Sequence, residues 1–181
     1  MVDLDEAFWY NDYSKRKEQK MQIRNLHGIK PLETFFTNWL QRHDFDAVAK
    51  IGTDFEVDLS SNTIYFALAV PAQFDEEFLA ECRKYAPDIV AADTFLLSFF
   101  HELGHIETED EWTAEEWESY DKFVNTPDDH TVEEYFAHPI EATATAWGAQ
   151  WIVRHPAEIE KFVKEYTPKI KKFYQLNNIT D

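Results

Sequence analysis

The sequence predicts a helix-rich α+β fold, and three observations predict it. Apolar residues recur at helical spacing over most of the chain, a short central stretch switches to strand-like alternation, and no repeat or low-complexity tract interrupts them. At 181 residues the chain is expected to be one domain able to bury a real core. An apolar content of 44%, with six Trp and fifteen Phe, excludes a disordered chain.

Few breakers occur from Asp5 to Asn25, so a helix is expected there, with Phe8, Trp9, Tyr13 and Met21 on its apolar side. Its basic centre, Ser14 to Lys20, reads as a solvated face. His27-Gly28 stops that helix, and Pro31, in a first-turn position, starts the next, which runs to about His43 with Phe35, Phe36, Trp39 and Leu40 as its stripe. Strands are expected over Ala47–Ile51, Phe55–Leu59 and Thr63–Leu68. The acidic alternation of the second predicts a wet face, and Ser60-Ser61-Asn62 supplies a hairpin turn. A helix from about Asp75 to Tyr85 follows, with Phe74 or Asp75 near its cap. Pro87-Asp88 opens the longest apolar run, which ends in His101-Glu102-Leu103-Gly104-His105. Past an acidic segment at Glu107–Glu111, Thr113 to Glu116 and Thr131 to Glu134 are capping boxes that open short helices. Pro139 begins a helix to about Arg154, and Pro156 begins a terminal helical segment punctuated by Pro168.

The chemistry concentrates in H-E-x-x-H. On a helix, residues four apart stand one turn above each other, so both imidazoles leave one face about 6 Å apart. Two such rings converge on one divalent ion, and Glu102 is placed to handle the proton of a water bound there. Thr94 and Ser98 share that face. Gly104 lets another backbone or a ligand approach closely.

Zinc in a catalytic site takes three protein ligands and a water. Glu109 would extend His101 and His105 into a row about 12 Å long at 1.5 Å per residue, which no single ion can gather. Unless the helix ends sharply after His105, a separate segment has to supply the third ligand. The leading candidate is Glu141, a lone carboxylate in a small-sided helix (Ala142, Ala144, Ala146, Gly148, Ala149) able to approach another helix closely. Glu133, Glu134 and His138 are the alternates.

HELGH followed by a helix reading Glu141-Ala142-x-Ala144-x-Ala146-Trp147 resembles the gluzincin zinc peptidases, and most nearly their ImmA/IrrE-like members. The resemblance covers roughly Thr63 to Trp151. It implies a zincin-like domain over 1–181, with N-terminal helices at 1–45, a small sheet (a β-hairpin plus one strand) at 46–70 before the HExxH helix, metal-site helices at 87–154 and C-terminal helices at 156–176. It also implies Zn2+ held by His101, His105 and Glu141, with Glu102 as general base and a peptide lying along an edge strand. An additional acidic helix between His105 and Glu141, and another between the hairpin and HELGH, depart from that pattern.

The expected activity is zinc-dependent endopeptidase cleavage of a cytosolic protein or peptide, possible substrates including a basic or regulatory protein. The second catalytic candidate is His138, three residues before Glu141, as a donor to the developing oxyanion; Tyr135 and His155 stand behind it. The rival expectation is an acidic zincin-like module that sequesters a basic protein without catalysis, motivated by the net charge of −18. Hydrolysis of non-peptide amides is a third. That charge argues against nucleic acid and anionic lipid as partners. One cysteine, Cys82, no apolar run of membrane length and an opening Met-Val-Asp-Leu-Asp-Glu without leader character predict a cytoplasmic protein.

Overall fold

In the computed structural model, residues 26–68, 72–89, 94–125 and 130–178 are described. The helix and basic cluster expected before residue 26 lie outside them, as do Val90 and most of the loop expected at Asn125–Asp129. The first described helix, α1 (Ile29–Arg42), follows Gly28, whose φ of 82° is a left-handed conformation that glycine adopts without strain. It buries Leu32, Phe36, Trp39 and Leu40; Phe35, expected in that stripe, is only half-buried and leans on the core from its edge.

Three short strands follow: β1 (Val48–Ile51), β2 (Glu56–Asp58) and β3 (Thr63–Phe66). They form one mixed sheet in the order β1-β3-β2, with β1 parallel and β2 antiparallel to β3. The β2–β3 hairpin turns through a 3-10 segment at Leu59–Ser61 and a left-handed Asn62. There the Asp58 carboxylate accepts from Ser60 N–H at 3.1 Å and from the Ser60 and Ser61 hydroxyls at 2.6 and 2.8 Å. The outer rim of β1 is taken by α1: Ala49 N–H donates to Thr37 Oγ1 at 3.0 Å and Ile51 N–H to Glu33 Oε1 at 3.1 Å. β2 is the opposite edge of the sheet, with Glu56 exposed as its acidic alternation predicts.

Helix α2 (Ala72–Tyr85) begins earlier than the Phe74–Asp75 cap expected from sequence, because Ala72 and Gln73 are themselves good helix formers. It buries Phe78 and Cys82. The central helix α3 (Thr94–Thr108) is buried without a break from Leu96 to His105, as its all-round apolar pattern predicts. A 3-10 turn at Glu109–Glu111 leads to α4 (Ala114–Asn125) and α5 (Val132–Ala137), each entered through the expected capping box. Then come α6 (Pro139–Arg154) and α7 (Pro156–Asn177). α7 is one helix, not the several expected at 156–176. It runs through Pro168, and Phe162, Tyr166 and Phe173 hold it against the core on both sides of that residue.

The core is aromatic. Phe36 sits within 6.0 Å, centroid to centroid, of Phe66, Phe95, Phe99, Phe162 and Tyr166. α3 and α6 form the most extensive helix pair, and their glycines set the spacing. A Cβ on Gly104 would lie 2.4 Å from the Ala144 carbonyl oxygen, and one on Gly148 would lie 2.6 Å from that of Phe100. Only hydrogen fits at either place. Among the described residues, no helix is long and apolar enough to cross a membrane.

Candidate metal centre

The glycine-spaced crossing carries three polar side chains into the interior. His101 and His105 project from α3, and Glu141 projects from the first turn of α6; they are 5%, 3% and 0% exposed. His101 Nε2 and His105 Nε2 are 3.2 Å apart, and Glu141 Oε2 lies 2.9 Å from the first and 3.4 Å from the second. Ligand atoms at corners of a zinc tetrahedron with bonds of about 2.0–2.1 Å stand about 3.3–3.4 Å apart. The three separations approach that triangle.

Hydrogen bonding points the same way. Glu141 Oε2 is fully buried and has no hydrogen-bond donor, although two imidazole nitrogens adjoin it. A buried oxygen left in that state costs about 1–3 kcal/mol or more, and a cation shared by the three atoms would remove the cost. Two contacts surround this triangle. His101 Nδ1 lies 3.0 Å from Thr145 Oγ1, which suits a ring whose Nε2 lone pair is turned to a metal, and Tyr120 OH donates to Glu141 Oε1 at 2.6 Å. His101, His105 and Glu141 are the group of metal-capable side chains found among the described residues.

The electrostatics follow from burial. Burial alone would raise the Glu141 carboxyl, but His105 and His101 beside it hold it well below the usual carboxylate range. Burial lowers His105, and Glu141 more than reverses this, so the imidazole ends above its usual value. Glu102, buried on the same helix, is raised by burial against the opposing pull of His101 and His105. The Glu141 charge and then Asp54, at the entry to β2, raise it further. Tyr120 and Tyr135 are both pushed up by burial and by the Glu141 charge.

Aromatic rings wall the centre. Phe78 and Phe136 meet His101 edge-on at 5.6 and 5.9 Å, while Trp112 and Tyr120 face His105 at 5.8 and 6.4 Å.

The other sequence candidates are not among the three ligand atoms. His138 is the N-cap of α6. Its Nδ1 accepts from Ile140 N–H at 3.4 Å, its Nε2 is 3.4 Å from Ser119 Oγ, and its ring lies 5.2 Å from that of Tyr120. Glu134 is spent on the Thr131 capping box and Glu133 is exposed. His155 caps the far end of α6, its Nδ1 on the Trp151 carbonyl at 2.9 Å. Glu109 lies in the 3-10 turn beyond α3. Tyr135 does adjoin Glu141, in company with Tyr120. Sequence reasoning missed Thr145 and Tyr120. The first was legible, being one helical turn past Glu141 and hence on its face; the second had no signal beyond its place on the apolar side of α4.

No protein-family model, curated protein or solved structure matches the chain.

Proposed function

We propose that the chain is a zinc-dependent endopeptidase of gluzincin type, with His101, His105 and Glu141 as ligands and Glu102 as general base. One observation carries the reading: three buried donor atoms from two helices, all within 4.8 Å of one another, converge on a point where Glu141 Oε2 has no donor. Zinc bound there would supply a Lewis acid that polarises a carbonyl and makes a water nucleophilic near neutral pH.

The remaining steps fall to the chain. Glu102 lies between the ligands in sequence without joining them, so its carboxylate is available to take the attacking water's proton and deliver it to the leaving amine. Thr145 Oγ1 can accept from His101 Nδ1, which leaves Nε2 for the metal. β2 offers the edge along which an extended peptide could add a strand.

Elemental analysis of the purified protein beside Glu141→Ala, with cleavage assays of Glu102→Gln, tests the proposal. The expected results are one zinc per wild-type chain, its loss in Glu141→Ala, and retained zinc with abolished cleavage in Glu102→Gln. Cleavage by Glu102→Gln at the wild-type rate rejects the base; a wild type without zinc rejects the centre.

The closed state of the site favours a second reading. With its ligands at most 5% exposed, the same centre could serve as a structural staple in an acidic module that binds a basic protein. Binding of such a partner that is indifferent to a chelator, without any cleavage, would select it.

A further inference from the structure

α4 is unlike the helices around it. It contains no buried residue, although it lies over Glu141, which is 0% exposed. It is held by a few side chains. Trp117 packs on Trp112 at 4.8 Å, Phe123 stacks between His130 and His138 at 4.0 and 4.9 Å, Ser119 Oγ lies 3.4 Å from His138 Nε2, and Tyr120 donates to Glu141 Oε1 at 2.6 Å.

The last contact differs in kind. A carboxylate has two oxygens, and either can face the imidazoles after a half-turn of the group. The Tyr120 hydroxyl engages Oε1, with Tyr135 adjoining both groups, and Oε2 is the oxygen turned to His101 and His105. The ring of Tyr120 also faces His105, so the same residue orients one ligand and covers another.

Resting on the metal-centre reading above, we propose that Tyr120 is a positioning residue for Glu141, and that α4 is a cover which it latches. Lifting α4 opens the His105 side of the centre to a polypeptide and frees Glu141 to rotate, so access and ligand geometry change together. The opposite wall does not share this freedom: Phe78 rides on α2, which packs on both α3 and α6.

Tyr120→Phe removes the hydroxyl and keeps the ring. Two measurements read it: zinc affinity by competition with a chromophoric chelator, and amide hydrogen exchange of the metal-free protein. Zinc affinity should fall about 10–100-fold, the usual effect of deleting a partner behind a metal ligand. In the metal-free variant, α4 amides should lose protection by about tenfold while those of α3 and α6 keep theirs, as for a local opening. An affinity within about twofold of wild type, or equal loss of protection in all three helices, overturns the proposal. Should wild type bind no zinc, the metal reading fails by itself, and the exchange experiment still decides whether Tyr120 latches α4. Should the variant not fold, wild-type exchange decides: α4 must open more readily than α3 and α6, and equal protection refutes the cover.

Discussion

Gly104→Ala sets two effects against each other. In an ordinary helix the change adds about 0.5–1 kcal/mol, because alanine is the better helix former. Here the new Cβ would sit 2.4 Å from the Ala144 carbonyl oxygen, where ordinary contact begins at 3.4 Å, so α3 and α6 must separate by the difference, 1.0 Å. Overpacking of this sort costs about 1–3 kcal/mol, and the neighbour is backbone that cannot rotate aside. The loss should exceed the gain. Geometry suffers as well, since His101 and His105 flank Gly104 while Glu141 and Thr145 flank Ala144. A shift near 1 Å is several times the roughly 0.2 Å tolerance of a metal–ligand bond. Urea unfolding of the metal-free variant should show a net loss, and a zinc competition titration should show at least about a tenfold loss of affinity, or 1.4 kcal/mol. Gly148→Ala, with its contact at 2.6 Å, should do the same more mildly. A Gly104→Ala protein as stable as wild type, with zinc affinity intact, would refute the reasoning.

Thr145→Val deletes the hydroxyl 3.0 Å from His101 Nδ1 and should weaken zinc about 10–100-fold while circular dichroism stays unchanged, with Thr145→Ser restoring affinity. Thr131→Ala removes the side chain that caps α5 and should lower unfolding stability by about 1 kcal/mol, read by thermal denaturation; no change would mean the capping box contributes nothing. Chelator treatment should cost the folded state about 2.7 kcal/mol when free zinc stands at 100 times its dissociation constant. An unfolding midpoint indifferent to chelator would show that no ion prefers the folded chain.

The parts legible in the sequence were those with a local period. HELGH declared its geometry because four residues make one helical turn, and the run of Ala and Gly around Glu141 announced a close crossing because small side chains have little other use there. The hairpin was written in Ser60-Ser61-Asn62. The limit shows at His138. Counting three residues back from Glu141 places it on the ligand face only if the helix already exists there, yet Pro139 is the first helical residue. His138 is extended, at φ −62° and ψ 133°, and its Nδ1 accepts from the Ile140 N–H. A helical count cannot cross a helix boundary. Tyr120 was illegible for another reason: its contact with Glu141 spans an intervening segment whose path no periodicity encodes.

Glu33 and Thr37 give the sheet a direction of growth. Among the described residues the β1 rim is plugged and β2 is the sheet's other edge, so two molecules joining edge to edge through these strands would each use up the other's β2 edge. Association by that route ends at a pair and cannot run on into a fibre. Whatever lies along β2 also competes directly with such pairing, so a bound peptide would keep the molecules apart.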